Sequence, residues 1–375
     1  MNHPTLRRIL AIDAFRGLTL AFMIIVNMPG SWAKAYQPLK HANWHGCTPT
    51  DLVFPFFLFV VGISMRYSFE KYDMCLTKPL FLKTFKRGIS IFLIGLLLNA
   101  FPFIRQDWDW SSLRILGVLQ RIGICYFVSS IIVLKNDIRN IVKITIALLI
   151  GYWGLMEIFG IYHGTDPYAL QTNIILAFDK LLLGESHLYK GMGIPFDPEG
   201  ILSTIPSIAT TNFGFLVGTM MITNKKIRDN IKRMIVLGFG SLLIGLFWGI
   251  LMPINKQLWT SSYVMFTAGI ATLFISFMIY IIDIKKYRSV AKGLAVLGSN
   301  SIFLFIISGI WTKILLRINF QLNESVVNGY YYLYKTVFFE LNQGSFGSLL
   351  FAIFHLIIFW LLLYWMKKKK IFLKI

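Results

Sequence analysis

Charge is what this sequence has least of. Only 14% of its 375 residues are Asp, Glu, Lys or Arg, while 56% are hydrophobic; soluble domains carry about 25% charged residues. Acid is scarcer still, with 17 Asp and Glu against 37 Lys and Arg, a net charge of +20. Cysteine is nearly absent. Cys47, Cys75 and Cys125 fall in an outer loop, an inner loop and an apolar run, which excludes a disulfide framework. There is no low-complexity tract, no short-period repeat and no stretch polar enough for a soluble domain. No cleavable signal is expected either, because the first apolar run carries Asp13 and Arg16 and no clear small-residue cleavage site follows it.

What is present is a series of apolar runs near 20 residues, each long enough to cross a hydrocarbon core of about 30 Å. They fall at roughly 9–29, 51–68, 88–104, 113–134, 144–161, 201–222, 234–252, 260–282, 294–316 and 345–366. The pattern predicts an all-α polytopic membrane protein, one domain over 1–375 with about 10 transmembrane helices. A β-barrel would show short alternating segments instead. Connections of one parity (the N-terminus, 66–87, 135–143, 224–233, 283–292 and the tail) hold 25 of the 37 Lys and Arg, and the other parity holds most of the acids. The positive-inside rule then places both termini in the cytoplasm. Basic charge distributed in this way signals orientation and attraction to anionic lipid or phosphate, and it argues against nucleic acid as a partner. The external loops lie near 30–50, 162–200 and 317–344; the last is tyrosine-rich (YYYLYK), and long ordered loops are often functional.

Polar residues crowd the outer face. KHANWHGCTPTDLVFPFFLFVV (40–61) sets His41, Trp44, His45 and Asp51 at the mouth of the second span. RQDWDWSS (105–112), FDPEGILSTIPS (196–207) and INKQLWTSSY (254–263) lie on the same side. Trp108, Trp110 and Trp259 suit an interfacial belt, Glu199 a helix start, and Lys256 a snorkelling side chain. Jointly they also suit a sugar site, in which Trp44 and Trp259 stack on apolar sugar faces while Asp197, Glu199 and Lys256 hold hydroxyls and amines. His41 can act as a general base or accept an acyl group. Asp51 can orient that imidazole or cap the second span. Cys47 is the rival nucleophile, with nothing nearby in sequence to lower its pKa. Two histidines without a clear third ligand make a poor metal set.

Ionisable groups inside a membrane point to function. Arg16 pairs at i,i+3 with Asp13 in the first span. Asn27 lies eleven residues on, about 16 Å outward at 1.5 Å per residue. Gln120 and Arg121 sit in the outer half of the fourth span. Gly298-Ser299-Asn300-Ser301 forms a small polar patch in the inner half of the ninth, a pattern that also serves close helix packing. Together they outline a polar tunnel from the cytoplasm to the outer mouth.

The stretches IDAFRGLTL, KHANWHGCTPTDLVFPFFLFVVG, LGVLQRIGICYF, FDPEGILSTIPSI, INKQLWTSSYV and LGSNSIFLF resemble the heparan-α-glucosaminide N-acetyltransferase family, including its bacterial members of the NagX type. They run in family order from about residue 10 to 305; the last 70 residues match only as hydrophobic spans. The resemblance implies an enzyme that takes acetyl-CoA as co-substrate from the cytosol, without a prosthetic group, and acetylates the amine of a glucosamine or terminal glucosaminide on the periplasmic or lumenal side. His41 falls on the family's catalytic histidine, Asn27 on its catalytic asparagine and Asp51 on the acidic position that follows. The donor is expected along Arg16, Gln120, Arg121, Ser299 and Asn300. A homodimer in a bacterial inner membrane is the implied setting. The segment between Asn27 and His41 looks slightly longer than in the animal enzyme, no counterpart of that enzyme's extra N-terminal region is expected, and His45 stands where that enzyme has asparagine. The rival readings are a transporter or flippase for an amino sugar or lipid-linked sugar, and an acyltransferase with another donor or a hydroxyl acceptor.

Overall fold

The computed structural model describes residues 10–103, 109–223 and 226–373; the outer-face residues Arg105 to Trp108 lie outside them. The architecture is a bundle of long helices: α1 Leu10–Asn27, α2 Val53–Phe69, α3 Lys78–Ala100, α4 Val118–Lys135, α5 Ile138–His163, α6 Ile174–Leu183, α7 Thr204–Thr223, α8 Ile227–Leu251, α9 Ser261–Ile279, α10 Ser289–Leu297 and α11 Ser301–Leu315. A hairpin of β1 (Asn319–Leu322) and β2 (Ser325–Asn328), the short α12 (Gly329–Leu333) and a last long helix α13 (Ser345–Lys368) complete it.

Among the described residues, nine helical segments are long and apolar enough to cross a membrane, α10 and α11 together forming one of them. The third expected span is the difference. It is a 23-residue helix, α3, whose first half carries Lys78, Lys83, Lys86 and Arg87. Those four cations dilute its apolarity without shortening it. Local chemistry sets the helix ends. Asp137 accepts a hydrogen bond from the Asn140 N–H at the start of α5, and Asn173 accepts one from Leu176 at the start of α6. Gly164, at φ 61°, closes α5 in the left-handed conformation.

Small residues let the helices approach closely. A Cβ on Gly17 of α1 would stand 1.8 Å from the Leu294 carbonyl oxygen of α10, and one on Gly214 of α7 would stand 1.9 Å from the Phe59 oxygen of α2. These are backbone-to-backbone crossings of the kind that bundles in lipid rely on. Large apolar side chains such as Ile158 and Phe247, each 69% exposed, cover the outside, where lipid makes them inexpensive. The connection 317–344 folds back over the outer end of α1: the Tyr330 hydroxyl donates to the Pro29 oxygen at 2.8 Å and the Tyr334 ring lies against Gly30.

Candidate active site

Four helices, α1, α2, α4 and α11, surround a shaft that holds two cavities. The cavity on the acidic face is about 370 Å³, and His41, Asn27, Glu199 and Lys256 line it. The cavity on the basic face is about 510 Å³ and is lined by Arg16, Lys71, Lys83, Arg87, Ser299 and Asn300. Phe57, Ile122 and Ile302 line both and form an apolar waist between them. The path is also legible along α1, where Arg16 faces one cavity and Thr19 to Asn27 the other.

His41 and Asp51 form a hydrogen-bonded pair. The His41 Nδ1 is 2.6 Å from Asp51 Oδ1, and the Asp51 side chain is 1% exposed. The second carboxylate oxygen is held by the Ala42 N–H at 3.0 Å, the Thr48 N–H at 2.9 Å and the Thr48 hydroxyl at 3.0 Å. Asp51 therefore sits in the capping box of the turn Pro49–Leu52, which leads into α2, and contacts the imidazole with the same carboxylate. A neutral His41 that donates from Nδ1 to Asp51 keeps a lone pair on Nε2.

The histidine loop does not stand alone. Gly46 pairs with Asn255, its N–H donating to the Ile254 oxygen at 2.7 Å, and Asn255 contacts His45 Nδ1 through its amide nitrogen at 3.3 Å. This stitching lays Lys256 on the His41–Asp51 pair. Its Nζ is 3.1 Å from His41 Nδ1, 3.4 Å from Nε2 and 3.7 Å from Asp51 Oδ1. Burial lowers the Lys256 pKa against the opposing charge of Asp51. Burial likewise lowers that of His45. Cys47 is pushed up to about 12, first by burial and then by the charge of Asp51, so it remains a thiol and a poor nucleophile.

A second ionic cluster forms the roof. Arg114 grips Asp197 with two bonds, Nε to Oδ2 at 2.8 Å and Nη2 to Oδ1 at 2.7 Å, and reaches Glu199 Oε2 at 2.6 Å. Burial works against its charge, but the two carboxylates outweigh it and raise its pKa. Asn99 fixes the extended backbone that presents Arg114 by donating to the Arg114 and Leu116 oxygens, both at 2.9 Å. Asp197 itself is buried beneath the roof, and Glu199 is the acid that faces the cavity.

Other expected site residues sit elsewhere. Gln120 lines a side cavity of about 220 Å³ between α1, α3, α4 and α11 and donates to the Ile115 oxygen. Arg121 is fully buried on the acidic side, where Nη2 donates to the Pro198 and Gly200 oxygens and to Ser203. It lines neither cavity and stands apart from Arg16, Ser299 and Asn300, which meet in the basic one. Trp44 packs edge-on against Phe196 and donates to the Tyr168 oxygen. Trp259 is 1% exposed, donates to Thr210 and lies under Arg121. Neither ring faces the acidic-side cavity, so their packing supports the loops and not a sugar face. Among the described residues no group of three His, Cys, Asp or Glu could hold a metal ion.

Residues 8–177 match the family model for heparan-alpha-glucosaminide N-acetyltransferase, catalytic. The mouse heparan-alpha-glucosaminide N-acetyltransferase is 29% identical over 333 residues, which cover 74% of this chain and 50% of the mouse protein. The human protein of the same name is 29% identical over 334 residues, 74% of this chain and 49% of its own length. The chain thus spans about half the length of the curated relatives it matches. The matched segment contains α1, α2 and α4, the His41–Asp51 pair and Arg114, whereas Glu199 and Lys256 come from beyond it. Over the stretch that holds those helices and that pair, the chain is similar to the heparan-alpha-glucosaminide N-acetyltransferase family.

Proposed function

We propose that this protein is a transmembrane acetyltransferase that moves the acetyl group of acetyl-CoA, bound at the basic face, to the amine of a glucosamine or terminal glucosaminide at the acidic face. The observation that carries the reading is the two-chambered shaft with the His41–Asp51 pair at one end and four cationic side chains at the other. A CoA thioester is polyanionic at its nucleotide end and narrow and neutral along its arm. The phosphates match Arg16, Lys71, Lys83 and Arg87, with Ser299 and Asn300 beside them. The arm passes the apolar waist, and the thioester arrives near Asn27 and His41. His41 Nε2 takes the proton of the attacking amine, and Asp51 stabilises the imidazolium that forms. Asn27 donates to the developing oxyanion, a contact whose loss typically costs about 10²–10³ in rate. Collapse of that tetrahedral intermediate breaks the thioester C–S bond, and the proton taken up by His41 passes to the departing thiolate, so that CoA leaves as the thiol and His41 is neutral again. Glu199, steadied by Arg114, holds the sugar. Basic loops in the cytoplasm put the acceptor on the periplasmic or lumenal side.

Proteoliposomes test this. With labelled acetyl-CoA supplied on the basic side and glucosamine on the other, labelled N-acetylglucosamine should collect in the glucosamine compartment. Glucosamine that crosses unmodified, with or without acetyl-CoA, would instead identify a transporter.

A further inference from the structure

We propose that Lys256 is a positioning residue whose charge keeps His41 neutral, and hence competent as a base, beside the buried Asp51 carboxylate. The inference rests on the acetyltransferase reading above and departs from a sugar-holding role for Lys256.

The geometry carries it. The ammonium lies 3.1 and 3.4 Å from the two ring nitrogens of His41. Imidazole lone pairs point outward in the ring plane along directions far apart. A donor nearly equidistant from both is not aligned with either, so the contact is one of charge against ring. Asp51, 2.6 Å from Nδ1, favours the imidazolium. Lys256, 3.7 Å from the same carboxylate oxygen, opposes it.

Among the described residues no other group facing the ring can take this part. Glu199 and Arg114 reach the cavity already paired with each other. Asp197 is also held by Arg114. Lys40, next in the chain, is turned toward the Ala33 oxygen at 3.5 Å. Cys47 stays protonated, and His45 is shifted toward its neutral form. Without Lys256 the unbalanced charge at His41 is Asp51, and the ring holds a proton where it must accept one. Burial of Lys256 makes the balance adjustable, because its own charge is held less firmly than that of a solvated lysine.

The test is the pH dependence of kcat/KM for full-length protein in detergent, with acetyl-CoA and glucosamine. In Lys256→Met the acid limb should move up by about one pH unit or more, the size expected for losing a neighbouring charge, with KM for glucosamine unchanged. Lys256→Arg should restore the wild-type limb. An unmoved limb with raised KM would return Lys256 to sugar binding. An unmoved limb with activity lost in both variants would make its role structural; either result overturns the proposal. A second readout needs no catalysis. Diethyl pyrocarbonate acylates neutral imidazole only, and labelling of the His41 peptide, read by mass spectrometry, should begin at higher pH in Lys256→Met than in wild type. An unchanged onset overturns the proposal. A shifted onset in a protein that acetylates no glucosamine would uphold Lys256 and refute the acetyltransferase reading.

Discussion

Replacing Arg114 with methionine should open the roof of the acidic-side cavity. The Asp197 side chain is 0% exposed and its two oxygens are both held by Arg114. Methionine keeps the apolar stem and removes the charge, which leaves a buried carboxylate without its partner. Breaking a buried pair in this way costs about 3–5 kcal/mol. Because Glu199 also loses its contact, the loss should concentrate on the loop that carries both acids. Hydrogen exchange is the suitable assay, since it reports local opening. Amide protection over residues 185–203 should fall about 10²–10³-fold, the equivalent of 3–4 kcal/mol. Adding Asp197→Asn to Arg114→Met should recover part of the loss, because the second change removes the stranded charge. Additive single effects, or an Arg114→Met protein whose loop keeps its protection, would refute the reasoning.

Three further outcomes follow from the same geometry. Asp51→Asn should lower kcat by about 10²–10⁴, as loss of the partner does in other Asp–His pairs, with acetyl-CoA binding retained; an effect on binding alone would contradict it. Ile302→Trp, placed where both cavities meet, should abolish acetyl transfer while CoA still binds the basic chamber, as measured by calorimetry. Asp179, outside the spans, is raised to about 7 by burial, with Asp197 adding. Its folded pKa exceeds its unfolded value of 3.8, so the native state binds the proton more tightly and loses stability as pH rises from about 4 to 7. Asp179→Asn should therefore flatten the pH dependence of thermal unfolding and stabilise the protein above pH 7 by up to about 4 kcal/mol.

Much of this protein is legible because membrane spans and charged loops obey simple rules. The spacing between Arg16 and Asn27 locates both chambers on one helix, and Pro-Thr-Asp marks the turn that brings Asp51 under His41. Lys71, Lys83 and Arg87 read as orientation signals alone, since nothing local shows that they line a chamber. Arg114 passes unnoticed because the fourth span looks continuous from 113, yet the helix starts at Val118. The residues before it are drawn out by Asn99, which donates to the Arg114 and Leu116 oxygens, and by His187, whose ring Nδ1 lies 2.7 Å from the Leu113 oxygen and whose carbonyl oxygen accepts from the Ile115 N–H at 3.3 Å. Trp259 is misread for a related reason. It adopts φ 51°, a rare conformation for a bulky residue, and that turn drives the ring inward while Lys256 faces His41. Contacts between residues about 200 positions apart leave no local pattern in a single sequence.

The central claim is that His41 performs acetyl transfer. It is tested most directly with purified protein, radiolabelled acetyl-CoA and glucosamine, comparing wild type with His41→Ala. The account predicts labelled N-acetylglucosamine from wild type and none above background from His41→Ala, with CoA binding equal in both. Product at similar rates from the two proteins would contradict it.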